Sequence, residues 1–317
     1  MIEVEHLTKR YGSLTAVKDI SFTVDKGEIV GFLGPNGAGK TTTMRVLTCF
    51  LSATEGSARV AGFDIFDQPL EVKKRIGYLP EAPPIYRDMR VRTYLEFVAN
   101  IKGVPKGERQ KRTDMVMERT GLTERTRQEI SQLSKGYRQR VGLAQAIIHD
   151  PEVIILDEPT SGLDPNQTRE VRTLIEELAE DRTVILSTHI LPEVSVSCSR
   201  VIIINNGEIS AVDTPANLSQ KMKGNERVYV EAKPGQADTA STISAIPGVQ
   251  NVEVAEDAHT QNDAFYVDAP VEEEIRPQIV SALVTEGVEL LEIRREEMSL
   301  EDIFVELTTE EVEGADA

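Results

Sequence analysis

Ile29-Val30-Gly31-Phe32-Leu33, followed directly by Gly34-Pro35-Asn36-Gly37-Ala38-Gly39-Lys40-Thr41-Thr42, is the stretch around which the rest of the chain organises itself. The first five residues form a short continuous apolar run, which reads as a strand buried on both faces. The next nine fit G-x-x-x-x-G-K-[ST], and Met44, Val46, Leu47 and Phe50 then begin a helical pattern, so the motif lies between a strand and a helix. Gly34, Gly37 and Gly39 allow successive backbone N–H groups to turn inward around phosphate oxygens, where a Cβ would intrude. The following helix adds its positive end. Lys40 has the reach and charge for the β- and γ-phosphates of a nucleotide, and the Thr41 hydroxyl is the type of ligand that Mg²⁺ takes beside them.

Working outward, Val153-Ile154-Ile155-Leu156-Asp157-Glu158 is a second buried-strand run that ends in two acids. Asp157 is placed to serve the Mg²⁺ sphere, and Glu158, one residue further on, to orient or deprotonate an attacking water. Thr183–Ser187 is a third such run, and each is preceded by a plausible helix, so the core is a mostly parallel sheet with covered faces. Before the loop, Ile2, Val4 and His6 alternate with Glu3, Glu5 and Leu7, and Ile20–Val24 alternates likewise, predicting half-buried antiparallel strands. From about residue 92 to 149 the pattern is helical, with Tyr94, Leu95, Val98 and Ile101 at helical spacing. The fold class expected is α/β, with a mixed sheet core, an antiparallel β part and a helical subdomain.

Charge divides the chain. Residues 1–224 hold 30 acidic and 30 basic side chains, whereas residues 225–317 hold 23 acidic against 5 basic, which is the whole net charge of −18. The step predicts a domain boundary near Gly224, an accessory domain over 225–309 and a frayed tail over 310–317. Phosphates would repel so acidic a segment, which argues against nucleic acid or anionic lipid as its partner. The segment reads as βαββαβ, the ferredoxin-like order: strands at 227–231, 249–254, 264–268 and 288–294, helices at 240–245 and 271–286. Ser299-Leu300-Glu301-Asp302 then resembles a capping box ahead of an apolar stripe at Leu300, Ile303, Phe304 and Leu307. Two cysteines build no disulfide framework. No apolar run approaches the roughly 20 residues of a membrane span, so the chain is expected to be soluble by itself.

Leu133-Ser134-Lys135-Gly136-Tyr137-Arg138-Gln139 lies 93 residues after Lys40 and 24 before Asp157. In that position it resembles the signature motif of ATP-binding cassette (ABC) ATPases, with Lys135 in place of a glycine and Tyr137 in place of the glutamine. Ser161-Gly162-Leu163-Asp164 looks like the family's D-loop, His189 its switch histidine, and Tyr11 the aromatic that stacks on adenine. Ile76–Glu81 resembles the Q-loop, but Glu81 stands where glutamine is expected and is an oxygen ligand available to Mg²⁺. The resemblance covers about residues 1–220.

It implies a composite site in which Ser134, Lys135, Gly136 and Tyr137 close on the ATP of a second ATPase subunit, most simply in a homodimer. It also implies Glu158, His189 and Glu81 as catalytic groups, and Thr41, Asp157 and Glu81 at the metal. The Glu81-Ala82-Pro83-Pro84 stretch, the LSKGYRQRVGLAQ run and the C-terminal segment resemble ATPase subunits of ABC-2-type exporters, in particular the gliding-motility-associated and multidrug-export groups. The resemblance therefore implies a separate transmembrane permease, with the ATPase cytoplasmic and peripheral on the inner face of the cell membrane. An importer ATPase, or a soluble non-transport ABC ATPase, is the alternative.

Overall fold

The computed structural model describes residues 1–179, 181–190, 194, 197–221, 225–234, 238–255, 262–270 and 274–296. The chain divides into two compact units, Met1–Pro215 and Ala216–Ala317, a few residues before the step in charge.

Two sheets build the first unit. Strands β1 (Ile2–Tyr11) and β2 (Leu14–Val24) form a hairpin, joined by β4 (Glu55–Val60) and β5 (Phe63–Asp64) in the antiparallel order β2-β1-β4-β5. The second sheet has the order β10-β9-β3-β8-β7-β6, from β3 (Ile29–Leu33), β6 (Ile76–Leu79), β7 (Val153–Asp157), β8 (Thr183–Thr188), β9 (Arg200–Asn205) and β10 (Glu208–Asp213). Its strands run parallel except for β10, which closes one edge antiparallel to β9. Every residue of β7 and β8 is buried, as continuous apolar runs require when both faces are covered. Helix α1 (Lys40–Leu47) follows β3, and its Met44, Val46 and Leu47 share one core with Ile2, Val4 and Val24 of the first sheet and Val30 and Phe32 of the second.

The alternation expected along β1 fails at its middle. His6 is exposed and Leu7 is fully buried. The cause is a bulge: His6 has φ +50°, as does Asp19 on β2, and the β1–β2 register shifts between Val4 and Leu7. An extra residue reverses the faces beyond it, and His6 Nδ1 meets Asp19 Oδ1 at 2.8 Å in solvent instead.

Between β6 and β7 lie the three helices of the expected insertion: α3 (Val91–Ile101), α4 (Arg109–Arg119) and α5 (Lys135–Ile147). Helix α2 (Pro69–Arg75) leads into β6, and α6 (Pro165–Ala179) connects β7 to β8 with Val171, Leu174, Ile175 and Leu178 on its buried stripe.

After the helix Pro215–Lys221, the described residues of the second unit follow the order βαββαβ. Strands β11 (Asn225–Ala232), β12 (Asn251–Val254), β13 (Asp263–Pro270) and β14 (Leu290–Glu296) pair antiparallel in the order β12-β13-β11-β14, which is the ferredoxin-like arrangement. Val228, Val230, Ala232 and Val267 meet Ile243, Ile279 and Leu283 of helices Thr239–Ser244 and Arg276–Thr285. The capping-box helix expected from Ser299, and the tail after it, lie outside the described residues. No helix among the described residues is long and apolar enough to cross a membrane.

Candidate nucleotide site

The loop after β3 is shaped by two glycines in the left-handed region. At Gly39, φ +106°, a Cβ would stand 2.5 Å from the Ala16 carbonyl oxygen, so only glycine lets the loop lie against β2. At Gly37, φ +86°, a Cβ would meet nothing within 4 Å. The space it would project into is open, as a ligand cradle requires. Lys40 then begins α1. Its ammonium is nearly inaccessible and donates to the carbonyls of Gly34 (2.7 Å) and Pro35 (3.1 Å), with Glu158 Oε1 at 3.5 Å.

Asn36, Gly37, Gly39, Lys40, Thr41, Thr42, Glu81, Glu158 and His189 line one cleft, so the loop, the strand-end acid and the expected Q-loop and switch positions do converge. Glu158 is buried at the end of β7 with φ +49°, and His189 Nδ1 lies 2.9 Å from its Oε2. Asp157 is fully buried behind Thr41, whose hydroxyl donates to Asp157 Oδ1 at 3.2 Å. Burial raises the Asp157 carboxyl above its ordinary range, and the charges of Glu158 and Glu81 add to this, against the lowering effect of hydrogen bonds from Ser187 and Thr41. A carboxylate buried in this way beside a phosphate cradle gains from a divalent cation.

Whether Mg²⁺ suits these residues is answered by Asp157 Oδ2, which is buried with no hydrogen-bond partner. Among the described residues no group of three or more His, Cys, Asp or Glu could hold a metal by itself. Both facts fit an ion that keeps waters and substrate phosphates and takes only one or two protein groups. Two roomier hollows, of about 700 and 610 Å³, lie elsewhere; the second holds Lys73 with Glu55, Asp64 and Asp67, but only one glycine, Gly56, and no phosphate loop.

Other expected positions lie away from this cleft. Ser134 is exposed and caps α5, its Oγ accepting from Tyr137 N–H at 3.4 Å, while the Tyr137 ring lies between Arg125 and Arg140. Lys135 extends over Gly162 of the Ser161–Asp164 loop, and Gly136 adjoins the Gln167 side chain. Asp164 caps α6, accepting from Gln167 N–H at 2.9 Å. Tyr11 stands half-exposed at the end of β1 under the Lys9 ammonium. Ala16 and Ser187 were given no role from sequence, and Ser161 was read only as part of the D-loop. Ala16 and Ser161 line the cleft, and Ser187 donates to Asp157 Oδ1. The hydroxyl pair Ser187-Thr188 closing the apolar centre of β8 was the available signal for Ser187.

Sheet order, cradle, lysine and acid pair together define a phosphate-loop nucleotide-binding cassette. Comparison with known proteins narrows the class. Residues 17–161 match the family described as ABC transporter, and residues 214–308 match the family described as ATP-binding protein DrrA1-3-like, C-terminal domain. The bacitracin transport ATP-binding protein BcrA of Bacillus licheniformis is 34% identical over 309 residues, 97% of each chain. The linearmycin resistance ATP-binding protein LnrL of Bacillus subtilis is 31% identical, over 97% of this chain and 98% of its own. Among solved structures, a bacterial ABC transporter cassette in its dimeric form superposes with a TM-score of 0.63 at 25% identity, over 68% of this chain and 98% of that one. The chain belongs to the ABC transporter family, as the ATP-binding subunit of an ABC-2/DrrA-type transporter.

Proposed function

We propose that this subunit hydrolyses ATP with Mg²⁺, and that two copies close around two ATP molecules to power export through a separate permease at the inner face of the cell membrane. The reading rests on the setting of Glu158, buried 3.5 Å from the Lys40 ammonium and 2.9 Å from His189. Lys40 is engaged by Glu158 and two loop carbonyls. A γ-phosphate offers that ammonium better acceptors and frees the Glu158 carboxylate for water. The water oxygen bonds to the γ-phosphorus as the bond from phosphorus to the β–γ bridging oxygen breaks, the water's proton passes to Glu158, and ADP and phosphate leave. His189 holds the other carboxylate oxygen and so keeps Glu158 oriented. When bound, Mg²⁺ neutralises phosphate charge; Thr41 and Asp157 are the residues to hold it, with Glu81 at the cleft.

Ser134, Lys135, Gly136 and Tyr137 stand outside the chain's own cleft, which supports their serving a partner's nucleotide. The names of the bacitracin and linearmycin relatives support export. Light scattering of Glu158→Gln with and without Mg-ATP tests the reading. The expected outcome is a monomer that dimerises only with Mg-ATP while hydrolysis falls by ~10²–10⁴-fold, the usual worth of a general base. Hydrolysis at the wild-type rate, or ATP binding with no dimer at any concentration, would overturn it.

A further inference from the structure

The two oxygens of Asp157 are in different situations. Oδ1 accepts from the Thr41 hydroxyl on one side and from the Ser187 hydroxyl on the other, while Oδ2 is buried without a partner. Asp157 and Ser187 are register partners across the parallel pairing of β7 and β8, and both are fully inaccessible. The backbone repeats the link: Glu158 N–H donates to the Ser187 carbonyl at 3.0 Å.

A carboxylate rotates readily about its terminal torsion, which is broad and roughly two-fold. Thr41 is itself assigned to the metal, so its hydroxyl is a poor anchor for that rotation. Ser187 sits on a buried central strand and has no such assignment. With both donors on Oδ1, the carboxylate cannot exchange its oxygens without breaking two buried hydrogen bonds.

We propose that Ser187 is a positioning residue for the metal: its hydroxyl holds Asp157 Oδ1 and thereby keeps Oδ2 as the acceptor reserved for the hydrated Mg²⁺ of Mg-ATP. This rests on the reading of Asp157 as a metal residue given above. Partners that orient metal-binding carboxylates are worth about 10–100-fold in metal affinity. Ser187 acts only through Asp157, so metal-free ATP, held by the glycine cradle and Lys40, does not sense it. Its second link, through the backbone to Glu158, is made by the carbonyl and survives replacement of the side chain.

The test measures Mn²⁺ retention on bound ATP by electron paramagnetic resonance, alongside binding of a fluorescent ATP analogue in EDTA. Ser187→Ala removes one oxygen and adds no volume. It is expected to weaken Mn²⁺ retention by roughly ten-fold or more, leaving the metal-free affinity unchanged. Ser187→Cys, a weak donor of similar size, should fall between wild type and alanine, and keeps the question open to measurement if the alanine variant folds poorly. Asp157→Asn provides the reference. If Asp157→Asn loses Mn²⁺ and Ser187→Ala retains it, the role of Ser187 is overturned and the site stands. If both retain it, the metal reading of Asp157 has failed and Ser187 falls with it. Equal weakening of metal-bound and metal-free ATP by Ser187→Ala would show a merely structural serine and overturn the proposal.

Discussion

At the residue scale, the site holds charge where water does not reach. The Lys40 and Glu158 side chains are 5% and 8% exposed, so neither ion has solvent to turn to. Such a pair is tolerable because its remaining valences are filled, by two carbonyls for Lys40 and by His189 for Glu158. Glu158 also carries backbone strain, since φ +49° costs a non-glycine residue about 1–3 kcal/mol. The Glu158 N–H bond to Ser187 and the Ser161 N–H bond to the Glu158 carbonyl hold it there.

A second buried ionisable group has no part in the chemistry. His149 follows α5, with Nε2 3.1 Å from the Ile76 carbonyl and Nδ1 buried without a partner. Burial, reinforced by the Lys102 charge, lowers its pKa from 6.5 to about 4. The unfolded chain therefore takes up a proton as pH falls through 6.5, and the folded protein does so only near 4. Stability is complete above that window and declines within it, by about 2 kcal/mol between pH 7 and pH 5 from this group. Urea unfolding of wild type and His149→Gln at both pH values checks this. The variant should lose correspondingly less stability on acidification, and equal losses would assign the pH dependence elsewhere.

At the scale of elements, the position of Glu81 depends on how closely α5 approaches β6. A Cβ on Gly77 would stand 2.3 Å from the Ala146 carbonyl oxygen, and one on Gly142 would stand 2.7 Å from Leu79 Cδ1. Strand and helix thus meet backbone to backbone at Gly77 and backbone to side chain at Gly142, and β6 delivers Glu81 two residues beyond Leu79. Gly77→Ala is expected to destabilise the protein by about 1–3 kcal/mol through overpacking. An unfolding midpoint equal to wild type would show that the helix yields without cost. The caps show a related division of labour. Ser134, expected to serve a partner's nucleotide, and Asp164, expected in the D-loop, also cap the N-termini of helices α5 and α6, so exposure of their loops costs little structure.

At the scale of the whole molecule, each described residue of the cleft lies within Met1–Pro215, whereas the acidic excess belongs to the segment after it. A chain ending at Pro215 keeps every described residue of the cleft and should therefore bind ATP within about twofold of the full chain. Loss of ATP affinity in a folded truncation, followed by equilibrium titration and circular dichroism, would show that the C-terminal unit shapes the cradle.

The sequence by itself determined the phosphate loop, the acid pair, the helical insertion and the βαββαβ order of the second unit. These are local patterns, in which a strand, a turn and a helix follow one another within a dozen residues and side-chain period reports burial directly. Tertiary structure alone decided which groups meet across strands: Lys40 with Glu158, Ser187 with Asp157, and the fate of His6. Residues 30 to 118 positions apart leave no mark of their pairing in spacing or composition. A bulge is invisible for the same reason: its extra residue is defined only against a partner strand, and one positive φ suffices to send the next side chain to the opposite face.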